Sequence, residues 1–158
     1  MKKLILVRHA KSDWPENTDD FDRPLSQSGI HDAMKMSDFL KFNGIEIEKL
    51  VTSPAKRALE TCNIFNDTFE VECSKQPKLY NPSENNFLSV IRDLDDSVHS
   101  VALFSHNNGI SNFANYMTGD IFHFPTCGVA IFEVDCEKWT DFESEDKKMT
   151  HFFEPQKI

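Results

Sequence analysis

Short, continuous apolar runs alternate with segments of helical spacing four times along this chain, and that alternation limits its fold more than any other feature. Lys3–Val7 is apolar, unbroken and too short for a helix, as expected of a fully buried strand. Ser26 and Ser28 offer caps for a helix running to about Asn43, with Ile30, Ala33, Met34, Ser37 and Leu40 on one face and Gly44 as its stop. Lys49–Thr52 reads as a second strand, and Pro54 sits in the first turn of a helix reaching about Asn66. Phe69–Cys73 is expected as a third strand and Ser83–Leu94 as a helix, with Phe87, Leu88, Ile91 and Leu94 on one side. Ser100–Phe104 is again a buried strand, backed by a helix over Asn108–Met117. The pattern then changes: Gly128–Val134 alternates, and Trp139–Phe142 and Met149–Phe153 read as strands of a terminal meander. Together these segments predict an α/β fold, a three-layer α/β/α sandwich whose central sheet is mostly parallel, with antiparallel strands near the C-terminus. No linker or repeat interrupts residues 1–158, so a single domain is expected.

The charge balance narrows the partners. Seventeen basic against 26 acidic residues give −9, a surface that repels nucleic-acid backbones and anionic lipid. Neither nucleic acid nor membrane is expected as a partner. The apolar run after Lys2 and Lys3 breaks at Arg8-His9, short of the roughly 7–15 residues of an export segment. No stretch approaches the ~20 apolar residues of a membrane span, and a cytoplasmic location is expected. Cys62, Cys73, Cys127 and Cys136 show neither C-x-x-C nor zinc-ligand spacing and read as small buried thiols, a disulfide being the alternative. Phe65, Phe69, Phe87 and Phe113 fall at core positions.

In open α/β sheets, ligands sit beyond the carboxyl ends of the strands, beside helix N-termini. Arg8-His9 follows the first strand, Ser53–Arg57 the second, and Ser105–Asn108 the buried Val101–Phe104 run. Two arginines and two histidines therefore converge on one rim of an otherwise acidic protein, which implies a phosphoryl ligand. A histidine held neutral can attack phosphorus directly, and a second histidine, if protonated, adds a charged donor for the oxyanions. Each residue alone has a plainer explanation: Arg8 and Arg57 as surface charges, His9 as a strand-end side chain bonded to backbone. Their joint placement carries the reading. The scheme needs no metal or other cofactor. No P-loop glycine pattern appears, and His31, His99, His123 and His151 share no metal-ligand spacing.

Leu6-Val7-Arg8-His9-Ala10-Lys11-Ser12 resembles the Arg-His-Gly signature of the histidine phosphatase superfamily, the phosphoglycerate mutase-like fold. Ser53–Thr61 resembles its second motif and Ser105-His106-Asn107 its third. Arg23-Pro24-Leu25 is similar to a pattern of the short SixA-type phosphohistidine phosphatases. The resemblance implies His9 as nucleophile, with Arg8, Arg57 and His106 around the phosphoryl oxygens. It further implies Arg23 as an additional pocket residue, with Ser12 and Asn107 near the substrate. Ala10 departs from the usual glycine. The mutases' glutamate acid has no clear equivalent in the short Leu79–Glu84 stretch. Glu84, Asp13 and Asp22 are weak candidates for it, and Asp19-Asp20-Phe21-Asp22 reads as a solvated acidic loop near the pocket mouth. Without a strong acid, phosphohistidine on a protein is favoured over a phosphate ester. A small-molecule phosphomonoesterase is the alternative, and a non-catalytic phosphate-binding adaptor a third reading.

Overall fold

The structure, a computed structural model, describes residues 1–121 and 123–158. In chain order its main elements are β1 (Lys2–Arg8), α1 (Gln27–Phe42), β2 (Lys49–Thr52), α2 (Lys56–Phe69), β3 (Glu72–Lys75), α3 (Glu84–Arg92), β4 (Ser100–Ser105), α4 (Gly109–Thr118), β5 (Val129–Val134) and β6 (Lys147–Phe153). The strands form one sheet in the order β3-β2-β4-β1-β5-β6. The first four in that order run parallel, whereas β5 is antiparallel to β1 and β6 to β5.

Both faces of the sheet are covered, which explains why its central strands are apolar without alternation. Leu4 and Leu6 of β1 face the layer holding Phe87, Ile91, Ile110 and Phe113 of α3 and α4. Ile5 and Val7 face Ala33, Met36, Leu40, Cys62 and Phe65 of α1 and α2. Each such leucine, isoleucine, valine, phenylalanine or methionine side chain, fully buried, contributes about 1.5–3 kcal/mol by leaving water. The β1–β4 register pairs Arg8 with Ser105, and β2–β4 pairs Thr52 with Phe104. The three motif-bearing segments therefore leave the sheet side by side. The connections after β1 and β4 pass to opposite faces, which opens a crevice between these neighbouring strands.

Three expectations fail locally. Phe69 belongs to α2, because its ring extends the buried stripe Cys62–Phe65–Phe69. Glu70 then reverses the chain at φ +53°, so β3 starts only at Glu72. The buried face of α1 is Gly29, Ala33, Met36, Ser37 and Leu40. Ile30 and Met34 lie outside it, 41% and 54% exposed, because the close seat of Gly29 against Lys11 turns the helix's small residues inward. Trp139–Phe142 is no strand; it opens a 3-10 turn over Trp139–Ser144. Its backbone and indole N–H groups donate to Asp96 Oδ1 (2.8 Å) and the Val98 carbonyl (2.9 Å), which fixes the turn with Trp139 and Phe142 both buried.

All four cysteines are free thiols, with the Cys62 and Cys73 sulfurs 3.1 Å apart. Phe65, Phe69, Phe87 and Phe113 are buried. Among the described residues no helix is long and apolar enough to cross a membrane.

Candidate active site

Parallel pairing of β1 and β4 places His9 and His106 next to one another at the carboxyl edge of the sheet. The His9 N–H donates to the Ser105 carbonyl (3.1 Å), and the two imidazole centroids lie 5.2 Å apart. Both side chains are buried. His9 Nδ1 donates to the Ala10 carbonyl at 2.7 Å, which leaves Nε2 as the ring's lone-pair nitrogen. Arg57 Nε donates to that Nε2 at 3.3 Å. The turn after His9 is tied to α2: the Ala10 N–H donates to Thr61 Oγ1, whose hydroxyl donates to the Arg57 carbonyl. Imidazole and guanidinium are thus held by one local network.

A cleft of about 390 Å³ opens over these groups. It is lined by Arg8, His9, Ser12, Arg23, Arg57, His106 and Asn107, the seven residues singled out from the sequence, joined by Lys11, Asp20, Asn81 and Thr126. Arg8 NH1 donates to the Phe124 carbonyl (2.8 Å), and Arg23 NH2 to Ser12 Oγ (2.7 Å). Asn107 Oδ1 accepts from the Ser111 hydroxyl. His106 Nε2 shares a 2.7 Å hydrogen bond with Ser53 Oγ, which also accepts from the Ala55 N–H. Among the described residues, Arg8 Nε and His106 Nδ1 are the buried side-chain atoms left without a partner, and both belong to this cleft. Unpaired buried polar atoms gathered in one place are characteristic of a site that a ligand completes.

Burial dominates the titration of both histidines. It pushes His9 down to about 4, against the Ala10 hydrogen bond, with the charges of Arg57, Arg8 and Arg23 adding to the fall. Burial, His9 and Arg57 together push His106 down to about 3. The free protein therefore holds both rings neutral at physiological pH. Without a ligand His106 is a neutral side chain. A phosphoryl dianion among these groups acts in the opposite direction and favours its proton.

The candidate acids lie elsewhere. Glu84 opens α3 and lines a separate surface hollow with Pro82, Ser83, Asn85 and Asn112. Asp13 is exposed and offers its carbonyl to Arg23 Nε, and Asp22 is exposed on a short 3-10 turn; neither lines the cleft. Asp20, read from sequence as part of a solvated loop, lines it instead. Its carboxylate accepts from Arg57 NH2 (3.1 Å), Arg23 NH1 (3.3 Å) and the Tyr80 hydroxyl (2.7 Å). The Tyr80 hydrogen bond and then the Arg57 charge hold it down to about 2. It is a fixed carboxylate and no proton donor. Its sequence signal was the three-residue spacing from Arg23, obscured by Asp19 and Asp22 beside it. No three His, Cys, Asp or Glu side chains among the described residues are grouped to hold a metal ion.

Comparison with known proteins agrees with this fold. The SixA protein of Agrobacterium tumefaciens superposes with a TM-score of 0.84 at 24% identity, covering 98% of each chain. A protein histidine phosphatase SixA complexed with tungstate gives 0.85 at 22%, covering 98% of this chain and 97% of that one. An uncharacterized protein of Mycobacterium leprae is 29% identical, over 95% of this chain and 100% of its own length. The 2,3-bisphosphoglycerate-dependent phosphoglycerate mutase of Bacteroides fragilis is 36% identical over 90 residues, 55% of this chain but 36% of the mutase. The family model of the histidine phosphatase superfamily (branch 1) matches residues 4–83, half of the chain, and this protein belongs to that superfamily.

Proposed function

We propose that this protein is a phosphatase that carries the phosphoryl group on His9 Nε2 and acts on phosphohistidine borne by a protein. The observation that carries the reading is the neutral His9 Nε2, fixed by the Ala10 carbonyl on the far side of its ring and set among Arg8, Arg23 and Arg57. In the first step the Nε2 lone pair attacks phosphorus, and the substrate P–N bond breaks towards the departing imidazole. In the second, water attacks phosphorus, the bond to His9 breaks and Nε2 regains its electron pair as inorganic phosphate forms. Arg8, Arg57 and His106 face the phosphoryl oxygens in both steps. Asn107 and Ser12, the latter through Arg23, shape the substrate's approach.

The leaving group decides between substrates. Asp20 is the single carboxyl group among the cleft residues, and it is ionised. An alkoxide leaving from an ester needs a proton, and the cleft's one carboxyl group has none to give. A phosphorylated imidazole already protonated on its other nitrogen leaves neutral. The scheme draws on no metal ion.

The test uses purified protein with a phosphohistidine-bearing phosphocarrier protein, p-nitrophenyl phosphate and sugar phosphates, each with and without a chelator. Release from the phosphocarrier well above the esters, unaffected by the chelator, is the expected result. Faster turnover of sugar phosphates would transfer the assignment to a small-molecule phosphomonoesterase. Phosphate binding without turnover would make the protein an adaptor.

The depressed His9 also fixes the acid side of the pH profile. A base whose titration is lowered is in its neutral, attacking form above the lowered value. The acid limb of kcat/KM is therefore expected near pH 4, well below the ~6.5 of an ordinary histidine. A limb at 6 or above, measured on a substrate that does not itself titrate there, would contradict this geometry.

A further inference from the structure

Asp20 places a negative charge inside a cleft whose other features attract anions, and its contacts explain why. Arg57 carries five N–H donors. Nε points to His9 Nε2 (3.3 Å), NH1 donates to the Asp20 carbonyl (2.6 Å) and NH2 to Asp20 Oδ2 (3.1 Å). Asp20 therefore grips the outer end of the guanidinium through two atoms, while the Nε edge faces the histidine. The grip is itself fixed: Oδ2 also accepts from Tyr80, whose ring packs edge-on against His106 at 5.4 Å. Oδ1 accepts from Arg23, whose guanidinium stacks on Trp14 at 4.4 Å.

We propose that Asp20 is a positioning residue, clamped by Tyr80, that sets the roll of the Arg57 guanidinium so that its Nε edge serves the phosphoryl group on His9. This rests on the phosphatase reading above. A carboxylate serving only as an occluding anion needs no backbone partner for the same arginine and no hydroxyl holding it in place. Here one residue supplies both side-chain and main-chain acceptors to Arg57. Charge adds a second consequence. Three guanidinium groups and the Lys11 ammonium less one carboxylate leave a surplus of three positive charges against a phosphoryl dianion. Without Asp20 the surplus is four, so ground-state anion binding holds or tightens while alignment is lost.

Asp20→Ala is expected to lower kcat by roughly 10–100-fold, the range for misaligned charge donors, while inhibition by inorganic phosphate is unchanged or tighter. Asp20→Asn, which keeps an oxygen for one donor, is expected to fall between the two. In the free ¹⁵N-labelled protein, exchange of the Arg57 Nε–H with water is expected to quicken by about tenfold or more in Asp20→Ala and less in Tyr80→Phe. Wild-type or raised kcat overturns the proposal, as does a lost kcat accompanied by weaker phosphate inhibition and a lower melting temperature. An Nε–H signal unmoved by Asp20→Ala overturns it whatever the activity. His9→Ala run beside these variants separates the two ideas. If the wild type shows no His9-dependent turnover, the phosphatase reading fails, and the Nε–H signal alone decides the role of Asp20.

Discussion

Replacing His9 by alanine is expected to lower kcat about ten-thousand-fold or more and to leave no phosphorylated protein trapped by acid-free quenching of a labelled reaction. The size reflects the groups that remain. Arg8, Arg23, Arg57 and His106 line the cleft independently of the imidazole, so an oxyanion still binds, and KM changes far less than kcat. The covalent route is lost outright, because among the described residues the lone-pair nitrogen hydrogen-bonded to Arg57 Nε is His9 Nε2. Direct attack by water is then the sole route, supported only by charge stabilisation. A residual rate within tenfold of wild type would place the nucleophile elsewhere.

The second large effect concerns folding. Gly29 lies in the first turn of α1, where an added Cβ would fall 2.0 Å from the Lys11 carbonyl oxygen and 2.9 Å from its carbon. That carbonyl cannot easily retreat, since it accepts from both the backbone N–H and the hydroxyl of Ser26, the cap of α1. Gly29→Ala is therefore expected to cost about 3 kcal/mol or more, at the upper end for overpacking, because backbone must move against backbone. At about 2–4 °C per kcal/mol for a domain of this size, the melting temperature drops by about 6–12 °C. Gly44→Ala makes the control: it has open space but φ +76°, so it is expected to cost only about 1 kcal/mol. Equal losses from the two substitutions would refute the steric argument. Lys11 is two residues from His9, so the damaged contact also supports the nucleophile's turn.

The residues legible in the sequence share one circumstance. Arg8, His9, Arg57 and His106 each come after a short apolar run, and parallel strands deliver the residues beyond their carboxyl ends to a common edge. Local spacing therefore carried three-dimensional information. Asp20 had no such support. It is one acid among three, on a turn without apolar periodicity, and its meaning depends on Arg57 and Tyr80, which are distant in sequence. The partly misread face of α1 has a related cause: Ile30 and Met34 are apolar yet point outwards, while Gly29 is turned inwards beside the expected Ala33, Ser37 and Leu40. Side-chain polarity identified the helix but not its rotation. The Trp139 turn escaped because its partners, Asp96 and Val98, lie in an earlier loop.

The sheet order also bears on how the chain is made. β1 lies between β4 and β5, so its backbone partners come from residues 100–105 and 129–134. On a ribosome the strand that leads into His9 is synthesised long before either neighbour exists, and it waits unpaired until the later strands emerge. Such late, long-range closure is slow and leaves an apolar strand exposed in the meantime. It also means that the nascent chain has no anion cleft until most of it has emerged. The chemistry is withheld until the architecture is nearly whole.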